Sequence, residues 1–258
     1  MPIRERVLVF DFDGTVSLGH GPIRSYARFL AGGLPTSAAV EFLGRFETGI
    51  SAPPSAIAAD VRPIDGYDLV RLLAQQYDVS ASARSAAYLA SRRELATNAA
   101  PVTSPAGLAD FLAEARPAAY LVLATNAPAI RLEEALTALG LAGAFDAVHT
   151  SVGKPDGFGP LLDSLLARLP VGASATNLTS IGDVWENDLA PAHRRGATTA
   201  LVGAHPPRTA TPTYRADHLH ELYPALRDWL DSATPPAPGT TSLDPTFTTA
   251  LTTEKADQ

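Results

Sequence analysis

Residues Val7-Leu8-Val9-Phe10-Asp11-Phe12-Asp13-Gly14-Thr15 decide the fold. The four apolar residues, mostly β-branched or aromatic, have the make-up of a short strand buried in a parallel sheet. Two carboxylates follow at its C-terminal end with one residue between them, and Gly14 then breaks the extended backbone. Both acids therefore fall on a loop at the carboxyl edge of a sheet, where open α/β sheets bind ligands. Strand alternation sets Asp11 and Asp13 on one side and turns Phe12 to the other. Two like charges this close are costly unless a cation neutralises them or one of them holds a proton, so the pair asks for a metal. Asp-Phe-Asp-Gly alone also admits a plainer reading as a polar turn after a strand, and the rest of the chain has to choose.

Outward from this stretch, residues 17 to about 115 show helical patterns and no strand pattern. Ile23, Tyr26, Phe29 and Leu30 mark one amphipathic face, stopped by Gly32-Gly33. Val40, Leu43 and Phe46 mark a second helix, Gly66 to Leu73 a third, and Ala83 to Leu95 an alanine-rich fourth. Ser104-Pro105 reads as an N-cap with proline at the first helical position, opening a helix that carries Leu108, Phe111 and Leu112. So much helix between a first strand and the next exceeds an ordinary crossover. The expectation is a helical module over 17–103 inserted into a core of 1–16 and 116–232, with the helix over 104–115 given to the core.

Beyond Ala115 strands and helices alternate. Ala118 to Ala124 is a buried-strand run ending in Thr125-Asn126, and Ile130 to Leu139 an amphipathic helix closed by Gly140. Phe145 to His149 is a short strand, followed by Gly153-Lys154-Pro155 and a helix from Phe158 to Leu169. Leu178 to Ile181 is a strand ending in Gly182-Asp183; a polar helix over Glu186 to Arg195 leads to a strand over Thr198 to Val202, and His218 to Leu230 is a last helix. Such units imply right-handed crossovers and a mostly parallel sheet, a Rossmann-like α/β core. Residues 233–258 hold eight Thr and four Pro, the composition of a flexible tail.

Composition limits the function. Apolar residues make up 46% and charged residues 18% of the 258, which is globular. A net charge of −7 argues against a grip on nucleic acid. With no cysteine, disulfides, thiolate nucleophiles and zinc–sulfur sites are excluded. The N-terminus carries no apolar stretch of the signal-peptide kind and no segment reaches membrane-spanning length, so a cytoplasmic protein that engages no membrane is expected, as monomer or homodimer.

Polar groups follow each core strand: Asp11 and Asp13, then Thr125 and Asn126, then Lys154, then Asp183 and Asp188. A parallel sheet brings all its strand C-termini to one edge, so these groups converge. Three carboxylates with a backbone carbonyl and waters suit Mg²⁺, and a hydroxyl and a lysine beside it suit a transferring phosphoryl group.

In order, Asp11-Phe12-Asp13-Gly14-Thr15, Thr125-Asn126, Lys154-Pro155 and Gly182-Asp183-Val184-Trp185-Glu186-Asn187-Asp188 resemble the four signature motifs of the haloacid dehalogenase superfamily, over about Ile3 to Leu230. The resemblance implies a Rossmann-like core under a mobile helical cap inserted between the first two motifs (the C1 type). It implies Asp11 as the nucleophile that becomes an aspartyl-phosphate, and Asp13 as general acid, then base, whose backbone carbonyl also meets Mg²⁺. Thr125, Asn126 and Lys154 would hold the phosphoryl group, Asp183 would ligate Mg²⁺, and Asp188 would be a further metal contact, direct or through water. Members that cleave carbon–halogen bonds lack the second aspartate, so Asp13 favours a Mg²⁺-dependent phosphatase of a small phosphorylated metabolite. A phosphomutase of the β-phosphoglucomutase type and a non-catalytic binding protein of this fold stay open as alternatives. His20, Arg24, Arg45, Arg62, Arg92 and Arg93 are the side chains of the helical region considered for substrate contact, with surface charge as the default for each; Trp185 is assigned to packing.

Overall fold

The computed structural model describes residues 4–51 and 62–232. The tail expected over 233–258 lies outside the described residues. Six parallel strands form one sheet: β1 (Arg6–Phe10), β2 (Ala119–Ala124), β3 (Ala147–His149), β4 (Leu178–Gly182), β5 (Thr198–Val202) and β6 (Tyr214–Ala216). Their spatial order is β3-β2-β1-β4-β5-β6. Leu8 sits opposite Leu121 on one side and Thr179 on the other. The chain builds outward from β1 through β2 and β3, then returns to the far side of β1 for the remaining strands. The direction of winding thus reverses beside β1, and the crevice at its carboxyl end is the ligand position of a doubly wound sheet. This is a Rossmann-like α/β fold.

All five residues of β1 are buried, Arg6 included, and the four that follow Arg6 form its apolar run. Leu8 and Phe10 face one layer, with α5 (Leu108–Ala115), α6 (Leu132–Ala138) and α9 (Leu219–Asp231), where Phe111 stacks on Tyr223 at 4.7 Å. Val7 and Val9 face the other, with Phe158, Leu162 and Leu165 of α7 (Phe158–Leu166). Between β1 and β2 the chain forms α1 (Gly21–Ala31), α2 (Thr36–Ser51), α3 (Gly66–Gln76) and α4 (Ala81–Arg92). These carry a separate buried cluster that includes Tyr26, Leu30, Phe42, Phe46, Val70 and Leu73. Asp65 caps α3 by accepting from the Asp68 amide at 2.6 Å, and Ser80 caps α4 by accepting from Ala83 at 3.2 Å. The two connections to the sheet run side by side: Leu18 and Thr103 form an antiparallel bridge with amide–carbonyl distances of 2.8 and 3.0 Å. Among the described residues no helix is long and apolar enough to cross a membrane.

Three elements differ from the sequence expectation. The helix expected at Ser104-Pro105 begins at Leu108, after Gly107, because Thr103 is held extended by Leu18 and the chain has to turn before it coils. The helix expected over Glu186 to Arg195 is a π-helical turn (Trp185–Leu189) followed by the short α8 (Ala190–His193). Pro191 has no N–H to continue an α-helical ladder from Glu186, and its ring would crowd the preceding turn. The strand β6 was not anticipated: it has three residues, only Tyr214 fully buried, and it lies at the sheet edge.

Candidate active site

At the carboxyl end of the sheet Lys154 is the node. Its ammonium donates to Asp11 Oδ1 at 2.6 Å, Asp188 Oδ1 at 2.6 Å and the Ala124 carbonyl at 2.9 Å, using all three of its protons. The side chain is 2% exposed. Asn126 fixes the backbone beneath it: Nδ2 donates to the Lys154 carbonyl at 3.0 Å and Oδ1 accepts from the Lys154 amide at 2.6 Å. Both ends of that amide are thereby engaged with Lys154, so Asn126 acts on the site through the lysine. The Lys154–Pro155 peptide is cis. Thr125 is buried, and its Oγ1 accepts from the Ala127 amide at 3.0 Å, leaving the hydroxyl proton free to donate.

Asp11, Asp183 and Asp188 each place one oxygen within 4.8 Å of the others. Against these three carboxylates stands the single ammonium of Lys154, so full ionisation would leave two negative charges in a buried pocket. Burial, then repulsion from Asp188, pushes Asp11 up to about 7 although Lys154 works the other way. Burial, then Asp11 and Asp188, raises Asp183 well above the usual carboxylate range. Lys154 is held protonated: burial opposes its charge, but Asp11 and Asp188 together outweigh it. Asp188 Oδ2 accepts from the Val184 amide at 3.0 Å, whereas the buried Asp183 Oδ1 has no partner among the described residues. Hard oxygen donors, two surplus negative charges and one orphaned oxygen fit a divalent cation of the Mg²⁺ kind. Space here is measured to the backbone. A Cβ on Gly14, which sits at φ +91°, would lie 2.2 Å from Asp183 Oδ2, and one on Gly182 would lie 2.4 Å from the Asp188 Cβ.

Asp13 faces elsewhere. Its carboxylate is outside the cluster and turns to the helices, where Arg92 Nη1 donates to Oδ1 at 3.1 Å and the Tyr67 hydroxyl donates to Oδ1 at 3.2 Å. Arg92 also donates to the Tyr67 oxygen at 3.2 Å. Phe12, between the acids, is fully buried in the sheet core, as strand alternation requires. Arg92 is itself 0% exposed, and its Nε and Nη2 have no hydrogen-bond partner among the described residues. Burial lifts the Tyr67 hydroxyl well above its usual range, and the Asp13 charge adds to it.

A cavity of about 410 Å³ joins these groups, with Asp11, Asp13, Thr125, Lys154 and Asp183 toward the sheet and Tyr26, Tyr67, Arg84 and Tyr88 toward the helices. Of the side chains considered for substrate contact, Arg92 reaches the site. His20 lines an adjoining hollow beside Asp13. Arg24 pairs with Glu47 at 2.9 Å on the surface, Arg45 bonds Gln76, and Arg62 and Arg93 are exposed. Trp185 packs on Leu189 and Leu201 and lies 5.5 Å from His193. Tyr67, Tyr88, Tyr26 and Arg84 were not foreseen; the one signal nearby was the cap-like Asp65 that sets the start of α3.

No protein-family model matches the sequence, and no curated protein matches it. Solved structures do. YfnB of Bacillus subtilis, named as a HAD-hydrolase and bound to magnesium, is 20% identical over 87% of this chain and 99% of its own, with a TM-score of 0.55. A HAD phosphatase from Thermococcus onnurineus is 19% identical over 86% and 97%, at 0.54. The L-2-haloacid dehalogenase RSc1362 is 17% identical over 87% and 99%, at 0.52. The fold is therefore that of the haloacid dehalogenase-like hydrolases, a fold shared by phosphatases and dehalogenases.

Proposed function

We propose that the protein is a Mg²⁺-dependent phosphomonoester hydrolase acting on a small phosphorylated metabolite, with the helices between β1 and β2 as the cap over its site. One observation carries this reading. Two carboxylates two residues apart sit in separate environments, Asp11 against Lys154 and Asp13 against Arg92 and Tyr67. Acids separated in this way take different roles. Halide leaves carbon without a proton, so a dehalogenase has no task for Asp13. An alkoxide needs one.

Asp11 Oδ attacks phosphorus in line with the ester oxygen; the new O–P bond forms as the P–O bond to the organic group breaks. Asp13, which must enter the cycle protonated, gives that proton to the departing oxygen. It then takes one from the water that attacks the acyl phosphate, which releases inorganic phosphate and restores Asp11. Thr125 donates its free hydroxyl proton to a phosphoryl oxygen, and Lys154 offsets charge on Asp11 and the phosphoryl group. Asn126 holds Lys154 in place. Asp11, Asp183 and Asp188, with the Asp13 carbonyl, would hold Mg²⁺, which when bound supplies charge neutralisation of the site.

The test is rapid acid quench during turnover of p-nitrophenyl phosphate with Mg²⁺, followed by mass spectrometry of the peptide that contains Asp11. The expected product carries one added HPO₃ on Asp11. Steady phosphate release with no modified peptide at any quench time would replace the covalent route with direct attack by water.

A further inference from the structure

The helix side of the cavity carries an arginine and two tyrosine hydroxyls with donors left over among the described residues. We infer that it is a second anion site, so that the substrate is a phosphomonoester whose organic part ends in an oxyanion. The inference rests on the phosphatase reading above and adds the substrate class.

Arg84 projects from the first turn of α4 onto the cavity wall, where it donates from Nη1 to the Val79 carbonyl. It has no carboxylate partner among the described residues, although the acids Asp65 and Asp68 line the same cavity. Both acids are committed. Asp65 Oδ1 accepts from the Asp68 amide, Asp68 Oδ1 accepts from Arg71 Nε at 2.7 Å, and Asp68 Oδ2 accepts from the Ile64 amide at 3.2 Å. Arg71 is thus paired with Asp68, whereas Arg84 has no such partner among the described residues.

Tyr26 and Tyr88 also line the cavity, and neither hydroxyl has a hydrogen-bond partner among the described residues. The two rings pack edge to face, with centroids 5.7 Å apart, and Tyr67 closes the group at 6.4 Å from Tyr26 and 5.9 Å from Tyr88. Rings in mutual contact leave no cage for a cation; their hydroxyls are presented as donors. Arg84, Tyr26 and Tyr88 share the lining of the one cavity. A guanidinium with one backbone acceptor and phenolic O–H groups with none among the described residues, in a partly desolvated recess, are the donor set of a carboxylate or phosphate site. On the phosphatase reading the phosphoryl group sits at Asp11 and Thr125 beside the Lys154 charge, so the second oxyanion belongs to the leaving group.

Isothermal calorimetry with Mg²⁺ present can read this site without turnover. The probes are ω-phosphonocarboxylates with two to four methylenes, each against the matching alkylphosphonate, with the corresponding diphosphonates to tell carboxylate from phosphate as the second group. At one chain length the carboxylate or the diphosphonate should bind roughly 10- to 100-fold more tightly than the alkyl compound, the worth of a charge-assisted bond. That ratio should fall toward one in Arg84→Gln and be partly kept in Arg84→Lys. Ser85→Asp, on an exposed position of the same wall, should lower the ratio without touching Arg84, and covers the case in which an Arg84 variant folds poorly. A ratio near one at every length, a ratio unmoved by both Arg84→Gln and Ser85→Asp, or no binding of any phosphonate overturns the inference. Hydrolysis of p-nitrophenyl phosphate, assayed alongside, reads the parent proposal: a selective pocket in a chain that releases no phosphate keeps the anion site and removes the phosphatase.

Discussion

The sheet-side wall of the cavity consists of loops that begin where strands stop, whereas the helix-side wall consists of side chains on the faces of α1, α3 and α4. The first wall is over-determined. Lys154 makes three hydrogen bonds, its backbone makes two more with Asn126, and Gly14 and Gly182 leave no room for a Cβ against the carboxylates beside them. On the second wall and just behind it donors are left without partners among the described residues: two nitrogens of Arg92, which lies behind the wall, the hydroxyls of Tyr26 and Tyr88, and most of Arg84. A wall with its bonds satisfied suits chemistry common to many substrates, since preorganised groups need no rearrangement in the transition state. A wall with donors to spare suits recognition of one substrate.

The contrast can be broken most forcefully at Asp11. Asp11→Asn should lower kcat by at least ~10³-fold, as loss of an essential nucleophile does, while the protein still melts cooperatively because the amide fits the same space. Activity within a hundredfold of wild type would remove Asp11 from the chemistry. Next comes Asp13→Asn. With an alkyl phosphate the first step should slow by ~10²–10⁴-fold, the usual worth of general acid catalysis. With p-nitrophenyl phosphate, whose leaving group needs no proton, a rapid-quench burst should survive and only the second step should slow. Equal loss of the burst with both substrates would make Asp13 a structural residue.

Arg92 tests the helix-side wall. A buried guanidinium with two unpartnered nitrogens is a cost to the fold as well as a partner for Asp13. Arg92→Met should therefore change stability by no more than about 1 kcal/mol, yet lower kcat roughly tenfold or more by releasing Asp13 from its position. Arg92→Lys keeps the charge without the planar fork and should fall between. A large drop in melting temperature with turnover intact would assign Arg92 to packing.

The sheet-side wall also predicts how stability follows pH. Asp11, at about 7, and Asp183 hold protons in the folded protein that the unfolded chain has released above pH 4 to 5. Their contribution to stability is thus present at low pH and lost as pH rises through about 7. Exposed His20, whose pKa partial desolvation lowers, works weakly the other way and slightly blunts the slope. The metal-free protein should melt higher at pH 5 than at pH 8, and Mg²⁺ should raise the melting temperature most at pH 8. A flat profile without metal would contradict the charge excess at the three carboxylates. The smallest effect belongs to Arg24→Ala, which breaks an exposed pair with Glu47. Stability should change by less than ~1 kcal/mol, and kcat/KM should stay as it was; a change in kcat/KM would bring Arg24 into substrate recognition.

The sheet-side residues were legible because topology alone sends them to one edge: once the strands ending at Phe10, Ala124, His149 and Gly182 are read, Asp11, Thr125, Lys154 and Asp183 have nowhere else to go. Nothing comparable locates Arg92. It closes an alanine-rich helix beside Arg93, and only the packing of α4 on α1 decides that one is buried against Asp13 while the other meets solvent. Tyr67 and Tyr88 carry the pattern of core aromatics, and they are core aromatics whose hydroxyls also reach a cavity. The π-helical turn at Trp185–Leu189 was illegible for a different reason, since the proline that forces it lies downstream of the turn it alters.

The bridge between Leu18 and Thr103 has a mechanical meaning. Two separate tethers would let the helical module slide, twist and tilt over the sheet, and each landing would differ. Tethers bonded to each other act as a single pivot line. Rotation about that line leaves both hydrogen bonds intact, but shear along it costs them both. Any rotation of α1–α4 over the sheet would then move Arg92 and Tyr67 relative to Asp13 along one arc only, and would bring them back to the same seat.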